Sequence, residues 1–126
     1  MFNSTDLSNV DSVRVCIIEG YRSAERSNRF SDLYYCISKE EAFDWNRFCS
    51  LWHVITHGMP STIRKCDKHS PGLGLKLFQG NDEIGWGTID WKGGTIKIVS
   101  RGRISAFEFD PSSIIAKGIR FEFEQI

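Results

Sequence analysis

The sequence predicts an α+β protein in which a mostly antiparallel sheet is covered on one face by one main amphipathic helix. Two observations lead to this fold class. The C-terminal half holds five short segments that alternate apolar and polar residues between turn residues. One longer segment, about residues 39–57, has apolar residues at helical spacing. The chain of 126 residues has the length of a single domain, with residues 1–9 expected to fray.

One or two further strands are expected in the N-terminal part. Residues 10–19 are rich in β-branched side chains and carry apolar residues on both faces, which is typical of a strand covered on both sides. Residues 33–37 form the second strand candidate. The polar stretch between the two predicts a loop or a short helical turn.

The main helix is predicted over residues 39–57. Ser38 fits the N-cap position, and Glu41 three residues later completes the spacing of a capping box. The apolar residues of this segment cover about half of the helix surface, which suits the packed face of a sheet. Gly58 and Pro60 follow as stop signals.

The C-terminal half supplies the sheet. Strands are expected over residues 74–79, 83–91, 95–100, 103–110 and 117–125. The short connections make consecutive strands antiparallel neighbours. The last segment alternates Ile119, Phe121 and Phe123 with charged residues, so one of its faces should be packed and the other exposed. The edge of this last strand could also pair with a second copy of the chain.

Composition and charge restrict the function. Sixteen basic residues balance sixteen acidic ones, which argues against a general nucleic-acid or membrane-surface binder. There is no signal-peptide pattern and no apolar run of about 20 residues, so we expect a cytoplasmic protein without a membrane span. Four cysteines without a CxxC spacing indicate free thiols.

The first candidate site is a Cys/His set. Cys49 and His53 stand four residues apart on the predicted helix, and Cys66 and His69 stand three apart in the next loop. These residue types suit tetrahedral zinc, but the spacing is not that of a standard zinc finger. A Cys–His nucleophile pair is the enzymatic interpretation. A buried thiol and a helix-end histidine account for the same residues more simply, so we predict no metal, no cofactor and no catalysis.

The second candidate site is a surface for single-stranded nucleic acid. Residues 92–103 hold four basic residues and no acidic one, and two tryptophans lie just upstream in a glycine-rich strand. Aromatic platforms beside basic side chains hold single strands on sheet surfaces. The predicted contact residues are Trp86, Trp91, Lys92, Lys97 and Arg101. The alternative is that Trp86, which shares the parity of Ile84, belongs to the core.

The third candidate site is an acidic stripe. Residues 107–110 and 121–124 repeat a Phe-Glu-Phe-acid pattern, and on paired strands their carboxylates would share the exposed face. Like charges placed opposite each other destabilise a sheet, so a basic partner would explain them. The alternative is that Lys97, Arg103 and Arg120 neutralise the stripe within the sheet. The predicted contact residues are Glu108, Asp110, Glu122 and Glu124.

The predicted function follows from this third site. We expect a small cytoplasmic protein that binds and neutralises a basic protein, such as a toxin or nuclease, in the manner of bacterial toxin-immunity proteins. A single-stranded nucleic-acid-binding module is the alternative. A small metal-dependent or Cys/His enzyme comes third.

Overall fold

The computed structural model describes residues 7, 9–20, 36–57, 71–100 and 102–126. Within them, six strands form one antiparallel sheet in the order β2-β1-β3-β4-β5-β6, accompanied by two helices. The elements are β1 (Ser12–Gly20), β2 (Cys36–Phe43), α1 (Trp45–His57), β3 (Leu73–Gln79), β4 (Asp82–Asp90), β5 (Thr95–Ser100), β6 (Arg103–Glu108) and α2 (Ile114–Phe123). The predicted α+β class, with a main helix on an antiparallel sheet, is confirmed.

The core lies between one face of the sheet, here called the inner face, and both helices. Strand register aligns Val15 of β1 with Leu75 of β3, Gly87 of β4 and Ile98 of β5 in one row across the inner face. The helices contribute six buried residues to the same cluster: Phe48, Trp52 and Ile55 from α1, and Ala116, Ile119 and Phe123 from α2. Both helices therefore pack on the inner face of the sheet. The opposite face is here called the outer face.

The outer face carries a smaller apolar cluster. Cys16 and Ile18 of β1 are buried there, against the partly buried side chains of Ile37 and Trp86. The prediction that the first strand is covered on both faces is confirmed. In the part of the chain that the structure describes, no helix has the length and apolar character needed to cross a membrane.

The predicted start of the main helix is wrong. Ser38 and Glu41 belong to β2, where Ser38 Oγ donates to the carbonyl oxygen of Ile17 on β1. The helix begins at Trp45, after Asp44, whose Oδ1 accepts the main-chain N–H of Arg47 at 2.8 Å. The capping-box spacing is present in the sequence, but pairing with β1 prevails over it because a local cap contributes only about 1 kcal/mol.

The predicted last strand is also wrong. Most of residues 117–125 lie in α2, so the C-terminal half provides four strands and not five. Ser113 caps the helix, since its side chain accepts the main-chain N–H of Ala116 at 3.1 Å. Ile119 and Phe123, one turn apart, pack on the core. The edge expected on that strand is therefore not available for pairing with a second copy.

Candidate functional site

The Cys/His set is described only in part. Cys66 and His69 lie outside the described residues. Partial burial raises the pKa of the Cys49 thiol, which disfavours the thiolate that a nucleophile or a metal ligand requires. Among the described residues, no group of three or more His, Cys, Asp or Glu is arranged to hold a metal ion. A cavity of about 230 Å³ beside α1 is lined by Leu7, Trp45, Cys49, Trp52 and His53.

The residues predicted to bind single-stranded nucleic acid do not come together. Trp91 is buried in the core, and its ring packs edge-on against Phe109 with the ring centroids 6.2 Å apart. Trp86 lies half-buried on the outer face, between Lys76 of β3 and Val99 of β5. The remaining members separate as well: Lys92 is exposed in the turn after β4, Lys97 is exposed on β5, and Arg101 lies outside the described residues.

A compact ion-pair network occupies the outer face between β1, β2 and β3. The carboxylate of Glu40 accepts Arg14 Nε at 2.8 Å and Lys76 Nζ at 2.7 Å. Burial alone would raise the pKa of Glu40, but the hydrogen bonds from Lys76 and Arg14 lower it below its usual value. Burial, together with the neighbouring Glu40, raises the pKa of the Cys16 thiol to about 12, so this thiol is protonated and inert.

The four acidic residues do not form one stripe. Glu108 ends β6, Asp110 lies in the following turn, Glu122 is on α2, and Glu124 caps its C-terminus. Asp110 Oδ1 accepts the main-chain N–H of Ser112 at 3.0 Å and its hydroxyl at 2.7 Å, so this carboxylate shapes the turn before α2. Glu122 and Glu124 both stand at the C-terminal end of α2, in its last turn and at its C-cap.

Arginines of the chain neutralise Glu122 and Glu124. Glu122 Oε2 accepts Arg47 Nη2 at 2.5 Å, and Glu124 Oε2 accepts Arg120 Nε at 3.1 Å. The side chains in these pairs are 35–49% exposed, and ion pairs as exposed as these contribute about 0–1 kcal/mol. Within the described residues, Oε1 of either glutamate accepts no hydrogen bond. Arg120 is one of the cations that the sequence predicted to neutralise these acids. Arg47 was not among the predicted cations.

An apolar stripe on the outward side of α2 was missed by the sequence interpretation. Ile114 is 87% exposed and Phe121 is 64% exposed. Gly118 lies between them, and a Cβ atom there would meet nothing within 4 Å. We call Ile114, Gly118 and Phe121 the α2 stripe. The residues 114, 118 and 121 have i, i+4, i+7 spacing, the signal that could have revealed them if this segment had been interpreted as a helix.

The α2 stripe lies opposite the buried side of its helix. At about 100° per residue, its three members fall within about 60° of one another and face away from Ala116 and Phe123. Glu122 lies on one side of the stripe and Glu124 on the other. The arrangement is an apolar ridge with one carboxylate on each flank.

Comparison with known proteins gives no relative: no family model, no curated protein and no solved structure matches this chain. The described residues define an α+β protein in which a six-stranded antiparallel sheet is covered on one face by two helices. The α2 stripe and the charges beside it are therefore the features of the molecule that indicate a function.

Proposed function

We propose that this protein binds and neutralises another protein through the α2 stripe, in the manner of a toxin-immunity inhibitor. The observation that supports the proposal is the exposure of Phe121 on a helix whose other side is fully packed. Aromatic side chains dominate the binding energy of protein interfaces, because they bury a large apolar area at a small cost in conformational entropy. The proposal assigns no catalytic step to the chain.

The spacing of the α2 stripe suits a helix that lies in a groove of its partner. Recognition of this kind uses anchors at i, i+3 or i+4, and i+7 along one helix face. Ile114 and Phe121 provide the outer anchors. Gly118 provides the close approach between them, since it carries no side chain and stands in open space. The partner surface is therefore expected to be an apolar groove.

The flanking acids indicate the charge of the groove. Glu122 and Glu124 each bind an arginine of this chain through Oε2, and no described residue donates a hydrogen bond to Oε1 of either glutamate. A carboxylate can accept several hydrogen bonds, so a lysine or arginine of the partner can bind at Oε1 without breaking either internal pair. The expected partner is thus a basic protein whose apolar groove has a cation on each rim. That Glu108 and Asp110 also contact the partner remains a prediction from the sequence.

The proposal is tested by capture of the partner from the native cell and then by measuring the affinity of the purified pair. We expect Phe121→Ala to weaken the dissociation constant by about 30-fold, as truncation of an aromatic anchor typically does. Gln125→Ala is the matched control because Gln125 is exposed four residues after Phe121, beyond the end of α2. A partner that binds Phe121→Ala as tightly as the wild type contradicts the proposal.

Charge reversal tests the rims separately. The double substitution Glu122→Lys and Glu124→Lys should slow association and remove much of its salt dependence, with little change in thermal stability. Neutralisation is tested by the activity of the captured partner, which the wild type should inhibit and Phe121→Ala should not at the same concentration. An unchanged on-rate in the double variant excludes a basic rim.

Single-stranded nucleic acid binding on the outer face is the second candidate function. The observation that favours it is the placement of Trp86 on the outer face, with the exposed Lys97 of β5 in the next row of side chains on the same face. Oligouridylate should then be retained at low salt and released as salt rises, and Lys97→Glu should abolish retention. Lys117→Glu, on α2, is the matched control. Absence of binding by the wild type at low salt disposes of this candidate.

A further inference from the structure

The two edges of the sheet are built differently, and the β2 edge is protected. Three consecutive charged residues, Lys39, Glu40 and Glu41, occupy the middle of this strand. Its register with β1 is also irregular on either side of Ile18. Charged side chains and irregular pairing are the means by which natural edge strands avoid pairing with another chain.

The β6 edge has neither form of protection. Its charges, Arg103 and Glu108, stand only at the two ends, and its register with β5 is unbroken. Ile104 is 74% exposed, and Ala106 is exposed as well. In the part of the chain that the structure describes, no strand pairs with the side of β6 that faces away from β5. A regular, uncharged edge of this kind is a template for another strand.

We propose that β6 pairs in antiparallel orientation with β6 of a second copy of this chain. The two six-stranded sheets then join into one continuous sheet with all helices on the same side. A two-fold axis perpendicular to the sheet relates the copies, so residues that stand opposite each other must lie on the same face. Ile104 and Ala106 both belong to the outer face, since they pair with Val99 and Lys97 of β5.

The register of this pairing is centred on Ser105. Ile104 then stands opposite Ala106 of the second copy, and Arg103 stands opposite Phe107 of the second copy. An isoleucine beside an alanine is an apolar pair, and an arginine over an aromatic ring is favourable. A register centred on Ala106 would instead place Ile104 opposite Glu108. The Ser105 register also lets residues 103 to 107 of the two copies pair, with no like charges opposite each other.

A second copy is favoured over a strand of a different protein for two reasons. The β6 strand is complementary to itself, and a two-fold contact between two copies leaves neither β6 edge unpaired. One two-fold contact uses the β6 edge of both copies. The outer edges of the joined sheet are then the two β2 strands, which are the charged and irregular ones. The pairing therefore ends at a dimer and does not continue into a fibre, and only one edge of each chain needs protection.

Molecular mass in solution tests the proposal, by sedimentation or light scattering over a concentration series. The wild type should dimerise, and Ile104→Lys should weaken dimerisation by about tenfold or more, since two symmetry-related sites change at once. Ile114→Lys is the matched control, because Ile114 is 87% exposed and lies on α2. A monomeric wild type, or a dimer that Ile114→Lys dissociates and Ile104→Lys does not, overturns the proposal.

Disulfide trapping tests the register and does not depend on how Ile104→Lys folds. One cysteine is added at position 104, 105 or 106 in three separate variants. Each variant is oxidised, and its yield of cross-linked dimer is compared with that of the wild type, whose own Cys49 is exposed. Ser105→Cys should give the strongest link between copies, mapped to residue 105 of each chain. A higher yield of cross-linked dimer from the variants at position 104 or 106, or no yield above that of the wild type, overturns the proposed register. Phe121→Ala should dimerise normally, which separates this test from that of the proposed function.

Discussion

Residues 107–110 and residues 121–124 share the pattern Phe-Glu-Phe-acid but fold into different structures. The first segment closes β6 and enters a turn, whereas the second lies at the end of α2. Each segment buries one phenylalanine completely, Phe109 in the first and Phe123 in the second. Their other phenylalanines differ, because Phe107 packs against the core and Phe121 is largely exposed.

The difference between the two segments comes from what precedes them. Gly102, with a φ of 76°, lets the chain turn back so that β6 pairs with β5 in register. Ser113 instead caps a helix, and the chain then places residues three and four apart on one side. A four-residue alternation is thus compatible with either structure, and the turn chemistry upstream decides between them.

The largest effect is expected from Phe123→Ala. Its ring lies 5.4 Å from that of Phe43 and 6.2 Å from that of Phe48, measured between centroids. Removing this buried ring should lower the free energy of unfolding by about 3–5 kcal/mol. Phe121→Ala should change it by less than about 0.5 kcal/mol because that ring is exposed. Urea unfolding measures both, and equal losses would mean that α2 is not oriented as described.

The second effect concerns the segment that closes β6. Gly94 has a φ of 71°, and a Cβ atom there would lie too close to the carbonyl oxygen of Phe109. Gly94→Ala should therefore cost about 1–3 kcal/mol. Gly102→Ala is the control, since its φ is also positive but no atom lies within 4 Å of the added Cβ. Thermal unfolding should show a larger loss of stability for Gly94→Ala than for Gly102→Ala. The reverse order would contradict the close approach of the Phe109 carbonyl oxygen to Gly94.

The third effect tests the cap that makes the second segment helical. Ser113→Ala removes the hydrogen bond that Ser113 Oγ accepts from the Ala116 N–H and the one that its hydroxyl donates to the Asp110 carbonyl oxygen, and should cost about 1 kcal/mol. Ser112→Ala, one residue earlier, removes only an exposed contact with Asp110 and should cost less. Chemical denaturation distinguishes the two variants. Equal costs would mean that the start of α2 does not depend on Ser113.

The smallest effect has the opposite sign. Gly118→Ala should raise the free energy of unfolding by about 0.5–1 kcal/mol, because alanine favours a helix and its Cβ meets open space. Lys117→Ala, the exposed neighbour, should leave stability nearly unchanged. Calorimetry measures both. Destabilisation by Gly118→Ala would indicate that this segment is not an α-helix in solution.

The sequence predicted the elements whose signals are local. The strands expected over residues 74–79, 83–91 and 95–100 agree with β3, β4 and β5 to within one residue, and Gly80 and Gly94 have positive φ in the turns where glycine was expected. The end of the main helix at His57 was also correct. These features depend on turn chemistry and alternation within a few residues of each other.

Two of the failures involve contacts between distant parts of the chain. Ser38 carries a capping-box spacing but lies on β2, because β1 offers it a partner strand. Trp91 follows a strand beside basic residues but turns into the core against Phe109. The α2 stripe was not foreseen because Phe121 was placed on a strand. No local pattern shows which face of an element another element will cover, and the predicted sites depended on such faces.

The position of α2 has a consequence for the folding kinetics. The residues after it are bound to the β2 edge of the sheet, since Lys39 Nζ donates to the main-chain oxygen of Ile126, 87 positions away in the chain. Such contacts form only after the chain has lost the entropy of closing a long loop. The helix should therefore dock late, and Phe123→Ala should speed unfolding far more than it slows refolding. Until that docking, part of the inner face of the sheet stays in contact with water.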